Sequence, residues 1–200
     1  MRICFIGDSF VNGTGDDDCL GWVGRICAKA RQSGCDLTAY NLGIRRDTSA
    51  DIAARWQREA TLRLPPDHQG RLVFSFGNND CAFDTPGQTR IPLNDSVAST
   101  KLILIAAKAW LPTLMIGPSP VASTDRNERI RHLSGQIEMI CGEVGVPFLS
   151  PFDVLLQSKV WVREAQEGDG AHPNRGGYSI LAELIAKWPP WCAWVDQSVR

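Results

Sequence analysis

Four short strand-like runs in this chain each stop at a glycine: Ile3 to Ile6 before Gly7, Leu37 to Leu42 before Gly43, Arg71 to Phe76 before Gly77, and Thr113 to Ile116 before Gly117. A fifth and shorter run is Pro147-Phe148-Leu149. Stretches with helical periodicity separate them. Strands alternating with helices predict a parallel sheet covered on both faces, since a parallel pair needs a crossover long enough to hold a helix. The expected fold is therefore α/β, a three-layer α/β/α sandwich around a central parallel five-stranded sheet, with residues 1–200 as a single domain. The third run is apolar at nearly every position, as a strand buried on both faces should be.

The helical stretches have readable ends. Trp22, Val23, Ile26, Cys27 and Ala30 recur at helical spacing until Gly34. Residues 48–64 form a second helix, capped by Thr48 or Ser49, with Ile52, Trp56 and Ala60 on one face and Pro65-Pro66 as its stop. Asn94 or Asp95 caps a third, running through Val97, Leu102, Ile105 and Ala106 to about Trp110. The fourth spans about Asp125 to Glu143, with Ile130, Leu133, Ile137, Ile140 and Cys141 on its buried stripe. The last, about Asn174 to Trp188, turns Ile180, Leu181, Leu184 and Ile185 inward. Asn12 to Gly21 and residues 81–93 read as loops, the latter irregular and lying over the crevice at the strand ends.

Composition narrows the partners. A formal net charge of −1 with 22% charged residues argues against nucleic acid or an anionic membrane surface, both of which favour a basic protein. No apolar run approaches the roughly 20 residues of a membrane span. The first residues are too short for a signal-peptide core and lead straight into the first turn. The seven cysteines, at 4, 19, 27, 35, 81, 141 and 192, form no Cys-x-x-Cys pair, and a reducing cytoplasm is the expected location. The run Asp16-Asp17-Asp18 lacks the alternating ligands and closing glutamate of a calcium loop and reads as a solvated acidic tip. Neither metal nor organic cofactor is expected.

The first turn carries the chemistry. A serine two positions after the glycine of Gly7-Asp8-Ser9-Phe10 faces the crevice at the carboxyl ends of the strands, where open α/β sheets bind ligands. Gly7-Asp8-Ser9 with Gly13 and Gly15 fits neither a dinucleotide fingerprint nor a Lys-Ser/Thr phosphate loop. Val11 stands where a Gly-x-Ser-x-Gly elbow needs its second glycine. A serine hydroxyl needs a base, and of the three histidines His172 is the best placed. It follows Asp169 by three residues in Asp169-Gly170-Ala171-His172-Pro173, and Pro173 keeps it out of helical geometry. His68 reads as a solvated loop side chain and His132 as the exposed face of a helix. Asp8 and Asp80 read as braces that accept backbone N–H bonds.

Together with Asn41-Leu42-Gly43 and Gly77-Asn78-Asn79-Asp80, these blocks resemble, in order and spacing, the SGNH hydrolases, the GDSL esterase/lipase superfamily. The resemblance implies a flavodoxin-like fold and a serine hydrolase acting on a small-molecule ester. It implies Ser9 as nucleophile, Asp169 and His172 as the base pair, and Ser9, Gly43 and Asn78 as oxyanion donors. Short-chain acyl or acetyl esters are favoured, with thioesterase or lysophospholipase activity as alternatives within the family. A catalytically silent binding protein and a flavin or nucleotide binder on the same architecture are the rivals. Phe10 replaces the commonest leucine of the first block.

Overall fold

The computed structural model describes residues 1–196. Five strands form one parallel sheet among the described residues: β1 (Arg2–Gly7), β2 (Thr38–Gly43), β3 (Gly70–Ser75), and two more, Thr113–Ile116 and Phe148–Leu149. A two-stranded antiparallel ribbon, β4 (Phe83–Thr85) and β5 (Gln88–Thr89), precedes the latter two in the chain, which are therefore β6 and β7. The sheet order is β2-β1-β3-β6-β7. The chain steps outward from β1 to β2 and then returns to the other side of β1 with β3. That reversal is the switch point where ligands of open α/β sheets bind.

The helices are α1 (Ser9–Asn12), α2 (Gly21–Gln32), α3 (Ser49–Thr61), α4 (Leu93–Trp110), α5 (Thr124–Val144), α6 (Phe152–Gln157), α7 (Lys159–Glu167), α8 (Arg175–Ala186) and α9 (Pro189–Val195) among the described residues. One layer packs α2 on α8 and α8 on α7; the other packs α3, α4 and α5 in succession. Between them Ile3, Phe5, Ile6, Leu72 and Phe74 of the inner strands are fully or almost fully buried. The ring of Trp22 meets Phe5 edge-on on one side of the sheet, and Trp56 meets Phe74 edge-on on the other. This is the three-layer sandwich expected of the alternating pattern.

Helix ends follow local chemistry. Thr48 caps α3 in a full capping box with Asp51, and Ser123 caps α5 through the N–H of Arg126. Gly145 ends α5 in the left-handed conformation, φ 68°, which costs a residue without a Cβ least. Other boundaries depart from expectation. Helix α4 starts after Pro92 with no side-chain cap, so neither Asn94 nor Asp95 caps it. Its buried face is Ser96, Thr100, Ile103, Leu104 and Ala107, while Leu102 and Ile105 are exposed. The run Leu102 to Ala107 is apolar all round, so its periodicity does not select a face, and packing between α3 and α5 selects the slimmer one. Helix α8 stops at Ala186, and half-buried Trp188 lies beyond it as the residue before α9. Ile180 and Leu184 are half-buried, leaving Leu181 and Ile185 as the inward positions. The 81–93 stretch holds the β4–β5 ribbon, turned at Pro86-Gly87 with Gly87 at φ 81°.

The register places Gly7 level with Gly43 on one side and Ser75 on the other. A Cβ on Gly7 would collide with the Ser75 carbonyl oxygen and the Val11 side chain. Gly7→Ala should therefore destabilise the protein by about 1–3 kcal/mol, the usual cost of overpacking. Gly135 lies within α5 with open space around its Cα, so Gly135→Ala should gain about 0.5–1 kcal/mol from helix propensity. Urea titration of the two variants checks both signs.

Candidate active site

Ser9 is the first residue of α1, and the Asp8 carboxylate caps that helix by accepting the Phe10 N–H at 2.9 Å. The side chain is thus fixed at the carboxyl end of β1, on the rigid start of a helix. His172 and Asp169 come from the loop between α7 and α8. His172 Nε2 lies 2.7 Å from Ser9 Oγ, and His172 Nδ1 lies 2.7 Å from Asp169 Oδ2. A carboxylate can only accept, so Nδ1 carries a proton and the neutral ring offers Nε2 to the serine hydroxyl. Residues 163 positions apart in the chain are brought into one hydrogen-bonded line.

The 168–174 loop is held from several sides. Asp169 Oδ1 accepts the N–H groups of Ala171 and His172 at 3.0 and 2.9 Å. Glu164 of α7 accepts the N–H groups of Asn174, Gly176 and Gly177, satisfying donors that the start of α8 would otherwise leave without partners. Gly170 O accepts the Ala122 N–H, tying this loop to the one after β6. The Phe10 ring packs on the imidazole at 4.8 Å and stacks on Trp161 behind it. Phe10 therefore touches the ring whose orientation matters, although the sequence presented it only as an apolar replacement.

Partial burial would raise the Asp169 carboxyl, but hydrogen bonds from the His172 N–H and ring and from the Ala171 N–H outweigh it and hold the group at about 2. Burial pushes His172 below its usual value, against the upward pull of Asp169, with Arg45 and Arg126 adding to the lowering. Arg45 Nη2 also reaches Asp169 Oδ2 at 3.4 Å.

Gly43 and Asn78 stand on neighbouring turns of the same sheet edge, and each is partly engaged. The Gly43 N–H donates to Asn41 Oδ1 at 3.0 Å, while Asn41 Nδ2 donates to Val11 O at 2.8 Å. A Cβ at Gly43 would collide with the backbone of Asp8 and Asn12, so only glycine fits against α1. The Asn78 carboxamide pairs with the backbone of Ser119, donating to its carbonyl at 2.7 Å and accepting its N–H at 3.2 Å. One amide hydrogen of Asn78 remains for another acceptor. The Ser9 N–H donates to no backbone or side-chain acceptor among the described residues.

Asp80 Oδ1 accepts the Ser49 N–H at 2.8 Å, the bracing role read from the sequence for Asp8 and Asp80 alike. Asp16 accepts the N–H groups of Asp18, Leu20 and Gly21 and pairs with Arg25, so this carboxylate folds its loop. His68 and His132 are exposed, and neither bonds to Ser9, Asp169 or His172 among the described residues. A cleft of about 580 Å³ opens beside His172, lined by Thr14, Gly15, Arg45, Arg163, Glu164, Glu167, Gly168, Asp169, His172 and Asn174. Its wall carries no aliphatic or aromatic side chain other than the imidazole.

Residues 5–180 match the GDSL-like lipase/acylhydrolase family. The chain belongs to that family. Its fold is similar to that of an acetylxylan esterase from Geobacillus stearothermophilus, with TM-score 0.78 and 19% identity over 98% of this chain and 96% of that one. It is also similar to a lipase/acylhydrolase from Enterococcus faecalis, with TM-score 0.73 and 22% identity over 93% of each chain. No curated protein sequence matches the chain. Within the GDSL-like pattern, the sequence pointed to Ser9, Gly43, Asn78, Asp169 and His172. It gave no sign of Arg45, Ser119, Arg126 or Glu164, which hold them, nor of the bond by which Asn41, within the Asn41-Leu42-Gly43 block, occupies the Gly43 N–H. The grips of Ser119 and Arg126 on Asn78 join residues 41 and 48 positions apart, and no local spacing encodes them.

Asp8 is fully buried, and only one of its carboxylate oxygens has a partner. Desolvation, which outweighs the Phe10 hydrogen bond and is reinforced by nearby Asp80, raises its carboxyl to about 7. A carboxyl raised in the folded state binds a proton on folding between its unfolded and folded pKa values. Stability therefore falls as pH rises from about 4 to about 7. Asp8→Asn keeps the cap acceptor and removes that penalty. The variant should gain up to about 4 kcal/mol over wild type at about pH 8, shrinking towards zero near pH 4. Equal gains in denaturant titrations at both pH values would refute the assignment.

Proposed function

We propose that the protein hydrolyses carboxylic esters through a serine nucleophile, with Ser9, His172 and Asp169 as its triad. The observation that carries this reading is the continuous line from Ser9 Oγ through both ring nitrogens of His172 to Asp169, with each contact at 2.7 Å. Ser9 attacks the ester carbonyl as His172 Nε2 takes its proton, and Asp169 stabilises the imidazolium that results. His172 then protonates the departing alcohol, and the acyl group stays on Ser9. Water, deprotonated by His172, attacks the acyl-enzyme and releases the acid.

Negative charge on the former carbonyl oxygen calls for preorganised donors. The Ser9 N–H and the second amide hydrogen of Asn78, neither taken by a protein acceptor among the described residues, support two of these roles. The Gly43 N–H becomes the third when the oxyanion takes the position now held by Asn41 Oδ1. Short acyl groups on a polar alcohol fit the cleft beside His172, whose wall offers a fatty chain no aliphatic side chain to pack on. The acetylxylan esterase among the structural neighbours supports the same choice. The reaction as written draws on no metal or organic cofactor.

Ser9→Ala should abolish hydrolysis of p-nitrophenyl acetate and labelling by a fluorophosphonate, while leaving the melting temperature close to that of wild type. Among p-nitrophenyl esters, kcat/KM should be highest for acetate and fall with chain length; a preference for palmitate would reverse the substrate assignment. Asn78→Ala should reduce kcat by about 10²–10³, the usual cost of one oxyanion donor. His172 must be neutral to act as base, and its pKa is lowered. The acid limb of kcat/KM should therefore fall below the free-histidine value of about 6.5.

A further inference from the structure

We propose that Arg126 is a positioning residue for the oxyanion donor Asn78, a partly buried guanidinium on α5 that fixes this turn and places positive charge behind it. The inference rests on the ester-hydrolase reading above and adds a residue to it. Arg126 Nη2 donates to the backbone carbonyl of Asn78 at 2.7 Å. Ser119 holds the carboxamide of the same residue through both of its polar atoms. Asn78 is thus gripped at main chain and side chain by two elements outside its own turn. Those elements are themselves locked together. Asn127, the next residue of α5, accepts the Val121 N–H and donates to the Val121 carbonyl, each at 2.8 Å. The start of α5 therefore sets both grips on Asn78.

The setting of this guanidinium is unusual for a merely bracing arginine. Arg126 forms no salt bridge among the described residues, and its Nε is buried without a hydrogen-bond partner. Leaving a cation buried without a close carboxylate is costly, and desolvation accordingly lowers its pKa, with Arg129 and Arg90 as like-charged neighbours. The charge lies close enough to Asp8 and His172 to act on both. A fixed positive charge behind an amide donor favours the oxyanion of the transition state over the neutral carbonyl of bound substrate. Its loss should appear in kcat rather than in KM.

Kinetics of Arg126→Lys and Arg126→Gln on p-nitrophenyl acetate, with melting temperatures measured alongside, test the assignment. The expected order of kcat is Gln, Lys, wild type, rising. The Gln variant should lose about 10–100-fold, the usual cost of a positioning partner, and KM should stay within about threefold across the series. The charged groups around His172 are Asp169 on its own loop, Arg45 after β2, Arg126 on α5, and Arg163, Glu164 and Glu167 of α7, which line the cleft beside it. Removing the Arg126 charge should move the acid limb of kcat/KM to higher pH, and Lys should hold it at the wild-type position. If the Gln variant does not fold, a fall in kcat at constant KM in the Lys variant decides. Wild-type kcat in a folded variant, or a loss confined to KM or to melting temperature, would overturn the proposal. An inactive wild type, or activity surviving Ser9→Ala, would instead overturn the hydrolase reading itself.

Discussion

Backbone crowding at the carboxyl end of β1 is the constraint on which the rest of this molecule depends. Gly7 lies against the Ser75 carbonyl and Val11, and Gly43 lies against the backbone of Asp8 and Asn12. A side chain at Gly7 would push β3 or α1 away from β1, and one at Gly43 would push α1 away from β2. With none there, three strand ends and a helix start meet within a few ångströms, and the turn carrying Ser9 has little freedom. Arg55 adds a polar tie, donating to Gly7 O at 2.9 Å and pairing with Asp47 at 2.6 Å. Precision at Ser9 thus comes from main-chain packing, which is harder to perturb than the packing of a flexible side chain.

Beneath that edge the protein tolerates a charge arrangement that folding alone would not favour. Asp8 and Asp80 are both buried, each with one carboxylate oxygen lacking a partner, and Arg126 lies near Asp8 without bonding to it. Apolar residues of similar volume would avoid these desolvation costs. The carboxylates recover part of the cost by capping: Asp8 takes the Phe10 N–H and Asp80 the Ser49 N–H, so each fixes the start of a helix at the crevice. Stability is given up where donors have to be aimed, a common pattern at functional sites.

The inner strands were legible in the sequence because burial on both faces makes them apolar throughout, and a glycine stop marks each end. Helix α3 was legible from its cap and its Pro-Pro stop. Helix α1 was not, since four residues are too few to show a period. Helix α4 showed its existence but not its face: Leu102 to Ala107 is apolar in every direction, and the small polar Ser96 and Thr100 turned out to be buried, with Thr100 Oγ1 donating to Ser96 O at 2.7 Å. Trp188 looked like a continuation of α8 because nothing before Pro189 marks the break at Ala186. At the site, Ser9, Asp169 and His172 were legible because a serine after a strand-ending glycine and a histidine three residues from an aspartate are local patterns. The residue occupying the Gly43 N–H was not, because Asn41 reads equally well as an ordinary strand position.

His172 shows how these layers combine. Its side chain is only 9% exposed, whereas that of Asp169 is 43% exposed. Burial disfavours the charged ring, and the arginines at 45 and 126 disfavour it further, so the balance is moved towards the neutral imidazole. Asp169 opposes them, and its own low pKa keeps it ionised across the whole range in which histidine titrates. The ring is thus held in one tautomer by an ionised carboxylate on one side, while desolvation and fixed cations on the others oppose a second proton. In the proposed hydrolase role this balance suits a group that must both take up and return a proton, because the Asp169 contact strengthens when the ring is charged while burial and the arginines resist that charge. Proton return matters as much as proton uptake, since each half of an acyl-transfer cycle needs both.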